Sequence, residues 1–104
     1  MLKEAIIMKK ELRRRKYNDE VDSLHTLMNV AQDFELACRL RAYVAAVESK
    51  PVLDEETLAW ISWAKGKADW IDPTVAANDP IFGKRKHGAE TNKKTPEKIL
   101  GYYY

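Results

Sequence analysis

Apolar side chains along the first fifty residues recur at steps of three and four. Met1, Ala5, Met8 and Leu12 form one series, and Tyr17, Val21, Leu24, Met28, Ala31, Phe34 and Cys38 form another, the rhythm of one face of an α-helix. The step from Leu12 to Tyr17 is five, so the two series are out of phase. Asn18 or Asp19 could cap a fresh helix there, with Asp22 at N3 as an acidic stand-in for the capping-box glutamate. The pattern predicts either one long helix with a phase shift or a short basic helix that breaks near Asn18. From Phe34 onward a second stripe, Leu36, Leu40, Tyr43 and Val47, runs roughly 120–180° around from the first. A helix with two apolar stripes needs two neighbours. No Gly or Pro occurs before Pro51, which ends this element near Ser49–Lys50.

Asp54 followed by Glu55 and Glu56 is a good helix start, because exposed N–H groups and the helix dipole both favour negative charge there. The spacing predicts a second helix from about Glu55 to Ile71, stopped ahead of Pro73. All three tryptophans lie on it. Trp60, Trp63 and Trp70 fall within roughly 80° of one another on a helical wheel, with Ala64, Ala68 and Ile71 widening the arc. Ser62, Lys65 and Asp69 cluster opposite. So broad an arc predicts core packing against more than one partner. A base-stacking platform would want exposed cations beside the rings, and Lys67 alone falls within the arc.

After Pro73 the apolar periodicity stops, and "NDP", "FGK", "HG" and "TNKKTP" signal turns and loops. A last short helix is expected from Thr95 as N-cap with Pro96 at N1, ending at Gly101 before Tyr102–Tyr104. The chain thus divides into a helical hairpin, residues 1–73, and a loop-rich basic tail, residues 74–104. The fold class is all-α. A single hairpin cannot bury two stripes on each helix, so the expected assembly is a dimeric helical bundle. Its core and interaction face would comprise Trp60, Trp63, Trp70, Phe34, Leu36, Leu40, Tyr43 and Val47.

Composition adds bounds. With 45% hydrophobic and 33% charged residues among 104, the chain makes one domain and is not disordered throughout. No apolar run, that through Tyr43 to Val47 included, approaches the length a membrane-spanning helix requires. MLKEAIIMKK has too short an apolar core, and a glutamate before it, to read as a signal peptide. Cys38 is the only cysteine, so no internal disulfide exists. A cytoplasmic location fits that count.

Charge is segregated. Residues 1–17 carry a net +5, residues 18–48 a net −4, residues 49–72 a net −2 and residues 73–104 a net +3. Two basic ends flank an acidic middle, a pattern that attracts a polyanion or pairs with the acidic middle of a neighbouring subunit. Lys9, Lys10, Arg13, Arg14 and Lys16 share one helical arc and could follow a phosphate backbone. The same residues suit the solvated face of a coiled-coil stem, with Glu11 and Arg15 paired at i,i+4. Lys84–Gly88 reads as a solvated turn.

The remaining polar candidates give no chemistry. His25 and His87 are isolated, no second His or Cys stands at metal-ligand spacing, and no glycine-rich phosphate loop is present. Cys38 reads as a small core residue with no base beside it. Glu35 and Arg39 are spaced i,i+4 for a favourable pair, or could instead face a partner helix. The chain is expected to be no enzyme by itself and to hold no cofactor or metal.

Two stretches, FELACRLRAYVAAVES and WISWAKGKADWIDP, together resemble a C-terminal helical segment of uncharacterised bacterial proteins, often associated with prophages and other mobile elements. In that segment an aromatic residue precedes a Leu/Ile-Arg-x-Tyr/Phe-Ile/Val-x-x-Val run, and a Trp-x-x-Trp-Ala helix closes on Asp-Pro. The resemblance spans about Phe34 to Pro73, with Arg41, Tyr43, Val47, Trp60 and Trp63 on the motif positions. It implies that the two helices form one unit and that the chain is the tail of a larger protein; no activity comes with it. The functional expectation is a non-enzymatic interaction or oligomerisation module, partnered by a second copy or by helices of a parent protein. The alternative is a nucleic-acid-binding accessory protein that contacts backbone phosphates through its basic ends.

Overall fold

The computed structural model describes residues 2–101 and is helical, with no strands among them. Helix α1 spans Leu2–Glu48 without interruption, so the break considered near Asn18 does not occur. Nothing between these ends lacks a backbone N–H or a Cβ. The hydrogen-bond ladder therefore continues, and the out-of-phase apolar series simply occupy different sides of one rod. At 47 residues the rod is about 70 Å long, and it sets the longest dimension of the molecule, 78 × 38 × 17 Å.

Helix α2, Glu55–Ile71, begins at Asp54, whose Oδ1 accepts from the Thr57 N–H at 2.8 Å. It packs antiparallel on the C-terminal part of α1. Val44, Ile61 and Ala64 form the core of the hairpin, flanked by Val47, Leu53 and Trp60. Ala37 and Ala68 are wholly buried, and their small side chains let the helices approach closely. Charged pairs border this seam. Arg41 reaches Asp69 at 2.9 Å and also binds Asp72, and Lys65 meets Glu48 at 2.9 Å.

The buried face of α1 is neither of the two stripes as read from the sequence. Its fully buried members are Asp33, Ala37 and Val44, with Leu36, Leu40 and Val47 half-buried beside them. Tyr43 lies exposed at its edge. Phe34 and Cys38 belong to the outer stripe and are exposed, which corrects the expectation of a core cysteine. The chain has only one α2 to offer, and α1 turns a single face toward it.

The tail does not hang free. Asp79 to Gly83 forms a tight turn closed by reciprocal backbone bonds at 3.0 and 2.8 Å, and Gly83 adopts φ +71°, where a side chain would be strained. The chain then runs back along α1. At Gly88 the approach is so close that an added Cβ would lie 2.8 Å from the Thr26 methyl. The short helix α3 is Thr91–Lys94, not a segment starting at Pro96. Pro96 disfavours helical backbone at Thr95, which sits at φ −82°, ψ 124° and ends the turn. Tyr102–Tyr104 lie outside the described residues.

Candidate functional site

The tail is held to α1 by one carboxylate. Asp33 is 2% exposed and lies three and four residues before Leu36 and Ala37 on the buried face. Its Oδ2 accepts from Arg85 Nε at 2.8 Å and faces His87 Nδ1 at 2.8 Å; its Oδ1 accepts from Arg85 Nη2 and Lys94 Nζ, both at 2.9 Å. A carboxylate can only accept, which assigns the shared imidazole proton to Nδ1.

Other donors of the cluster reach backbone carbonyls. Lys94 Nζ also donates to the carbonyls of Asn29, at 2.9 Å, and His87, at 3.0 Å. Arg85 Nη1 donates to the Lys94 carbonyl at 3.0 Å, and Asn29 Nδ2 to the Gly88 carbonyl at 3.0 Å. Among the described residues no buried side-chain nitrogen or oxygen lacks a partner. Burial pushes the Asp33 carboxyl up, but hydrogen bonds from Arg85, Lys94 and His87 outweigh it and hold the pKa at about 2.

Two further carboxylates fix what surrounds this clamp. Asp72 takes Arg41 on Oδ2, while its Oδ1 accepts from the N–H and hydroxyl of Thr74 at 2.8 and 2.7 Å. Burial raises its pKa, and Arg41 and Thr74 more than reverse this, bringing it to about 2. Asp79 is held at about 2 chiefly by Lys67, then by the Phe82 and Ile81 N–H groups, against an upward push from burial. Lys67, the lone cation of the tryptophan arc, thus ties α2 to the turn after it and sits 4.7 Å from the Phe82 ring centroid.

The three tryptophans do not act together. Trp70 is buried, donates Nε1–H to the Gly83 carbonyl at 2.8 Å and lies under the Arg85 guanidinium at 5.0 Å. Trp60 is half-buried and meets Tyr43 edge-on at 5.8 Å. Trp63 is 58% exposed. Trp60 packs toward α1 and Trp70 against the tail, whereas Trp63, only about 20° from Trp70 on the wheel but two turns back along α2, is left to solvent, which corrects the expectation of one shared core face. The tail is the second partner that the broad arc of α2 requires.

Arg85, His87 and Lys94 correct the reading of their segment as solvated loop with an isolated histidine. The signal available in the sequence was Asp33 itself, a charge set in the line Ala37, Leu40 and Val44 on a helix face that otherwise carries apolar side chains. Lys84, Lys86 and Lys93 are exposed and line a groove with Phe82, Thr95 and Pro96. Lys9, Lys10, Arg13, Arg14 and Lys16 are exposed on the projecting half of α1. Arg14 is paired with Glu11, and Arg15 Nε lies 3.6 Å from the same carboxylate.

Between Leu2 and His25 no residue of α1 is buried. Tyr17, Leu24, Leu27, Met28 and Phe34 are large apolar residues left exposed along the outer face. Among the described residues no three His, Cys, Asp or Glu side chains are grouped to hold a metal ion, and no helix is long and apolar enough to cross a membrane. The geometry defines an all-α hairpin whose tail is clamped to its long helix. Compared with known protein families, characterised proteins and solved structures, the chain finds no match.

Proposed function

We propose that the chain is a non-enzymatic helical interaction module that self-associates through α1, in a cytoplasmic setting. The observation that carries this reading is the outer face of α1. Its apolar side chains are spaced for a partner helix, and the chain's own α2 and tail occupy the opposite face. Most helical stability in proteins comes from packing an apolar face, so the open apolar face of α1 calls for a partner. The clamp at Asp33 serves the same role by stiffening the half of α1 that anchors the projecting half. The resemblance of Phe34–Pro73 to the tail of bacterial mobile-element proteins suits such a module at the end of a larger chain.

Light scattering at micromolar concentration is expected to give a mass at or above twice 12.0 kDa. A strict monomer at every concentration would overturn the reading.

A second reading rests on the groove lined by Lys84, Lys86 and Lys93 beside the Phe82 ring, together with the exposed Lys9, Lys10, Arg13 and Lys16. Such a surface contacts nucleic-acid phosphates without reading sequence. Binding to arbitrary duplex DNA should then fall steeply with salt and collapse when Arg13, Arg14 and Arg15 become Ala. Absence of binding at low salt would remove it.

A further inference from the structure

The outer face of α1 carries a heptad seam. Tyr17, Val21, Leu24, Met28, Ala31, Glu35, Cys38 and Ala42 alternate steps of four and three, and the same register continues backward through Arg14, Lys10, Ile7 and Lys3. All these residues are exposed except Val21, which is half-buried. They lie on the side of α1 opposite Asp33, Ala37 and Val44, so α2 and the tail leave the seam open along its full length. From Tyr17 to Ala31 every seam position is apolar, a 3.5-residue repeat of the kind that winds two helices into a left-handed supercoil, and Ile7, Cys38 and Ala42 extend it between the charged members. Between Tyr17 and Leu24 the side chains already form a shallow hollow of the kind that receives a knob from a facing helix.

The charged residues in the seam decide the direction of the partner. In a parallel, in-register pair each position meets itself, which places Lys3, Lys10, Arg14 and Glu35 each against a like charge. In an antiparallel pair whose two-fold axis crosses α1 between Asp22 and Ser23, every one of these conflicts disappears. Val21 then faces Leu24 of the second copy, Tyr17 faces Met28, and Ile7 faces Cys38. Lys10 faces Glu35, the one acid in the seam. Arg14 and Lys3 face Ala31 and Ala42, whose small side chains leave room for the long stems to carry their charges outward. Outside the seam, Glu4 falls beside Arg39. Sliding by one heptad sets Lys10 against Met28 or Ala42 and Arg14 against Leu24 or Cys38, losing the match of Lys10 to Glu35. Neither Lys10 nor Glu35 takes part in an ion pair within the chain, among the described residues.

We infer that the partner of α1 is a second copy of this chain, bound antiparallel through the outer seam in the register that pairs Lys10 with Glu35. The inference rests on the self-association proposed above and adds direction and register to it. The two α1 rods form the centre of the assembly and each α2 with its tail lies outside. The segregated charge of α1, basic up to Tyr17 and acidic beyond it, becomes mutually neutralising across the pair.

Cys38 gives a direct test on the full chain. In the antiparallel pair the two Cys38 thiols lie ~46 Å apart at 1.5 Å per residue, so mild oxidation should leave the unaltered chain uncrosslinked. Ile7→Cys should then yield a covalent dimer, with peptide mapping joining position 7 to position 38. Lys10→Glu and Glu35→Lys should each weaken dimerisation by roughly tenfold or more, and the double exchange should restore most of it. Helicity by circular dichroism, read at a concentration where all variants are dimeric, controls for folding. A Cys38–Cys38 bond in the unaltered dimer, or a dimer in which Ile7→Cys forms no link to Cys38, would overturn the direction or register while leaving self-association intact. A monomer at all concentrations would overturn both.

Discussion

The two halves of α1 are built from similarly helix-favouring residues and sit in opposite surroundings. From Thr26 to Glu48 one face is covered, first by the tail at Gly88 and Lys94, then by α2 through Ala37, Val44 and Arg41. From Leu2 to His25 no residue is buried, and the side-chain ion pairs among the described residues there are local ones, Glu11 with Arg14 and Arg15. Exposed pairs of this kind contribute little, because solvent screens them and two long side chains must be held still. In the covered half, single side chains carry whole networks. Helix-forming sequence makes a rod in both halves, but only tertiary contact makes particular residues indispensable.

The largest way to break this contrast is Asp33→Ala. It leaves Arg85 and Lys94 buried without their anion, and loss of one partner from a buried pair costs about 3–5 kcal/mol. Urea unfolding should show that loss, and limited trypsin digestion should newly cut at Lys84, Arg85 and Lys94. Trp70→Ala should cost about as much, roughly 3–5 kcal/mol for a buried aromatic ring, whereas Trp63→Ala should alter thermal stability of the single chain far less. Gly88→Ala comes next, at about 1–3 kcal/mol, because the new methyl must displace a β-branched side chain fixed on α1. At the small end, Glu11→Ala should leave the urea midpoint essentially unchanged.

Acid should act on the same half. Asp33, Asp72 and Asp79 ordinarily titrate near 3.8 and are held at about 2 in the fold. The unfolded chain therefore binds these protons first, and protonation favours unfolding. Their stabilisation is complete above the unfolded value and fades as the pH falls from 3.8 toward 2. Unfolding free energy measured by urea titration between pH 5 and pH 2 should drop through that window, and in Asp33→Ala the drop should be shallower.

The hairpin was legible because its signals are local. Asp54 with Glu55 and Glu56 announces α2, Pro51 and Pro73 punctuate the ends, and the three-four rhythm of α1 is visible over ten turns. The choice of buried face was not legible, since α1 offers apolar residues on more than one side and only the position of α2 selects among them. The clamp was hidden for another reason. Its parts, Asp33, Arg85, His87 and Lys94, are far apart in sequence, and each alone is an ordinary polar residue. Turn signals after Pro73 correctly marked irregular backbone, but irregular backbone can be as firmly held as a helix when its side chains find a buried partner. Thr95–Pro96 carried a start signal and became a stop, because Pro96 keeps Thr95 out of the helical conformation.

The clamp also sets how the tail docks. Arg41 joins positions 28 and 31 residues away in Asp69 and Asp72, whereas Asp33 to Arg85 spans 52 and Lys94 to Asn29 spans 65. Closing the longer loop costs only a few tenths of a kcal/mol more in chain entropy, so entropy alone would not separate the two events. Desolvation does. Asp33 cannot shed its water until Arg85, His87 and Lys94 arrive, and these come from two stretches of chain separated by the turn of α3. Partial docking would strip the carboxylate of solvent with too few cations to replace it. The tail therefore closes on α1 in one cooperative step, and it opens the same way.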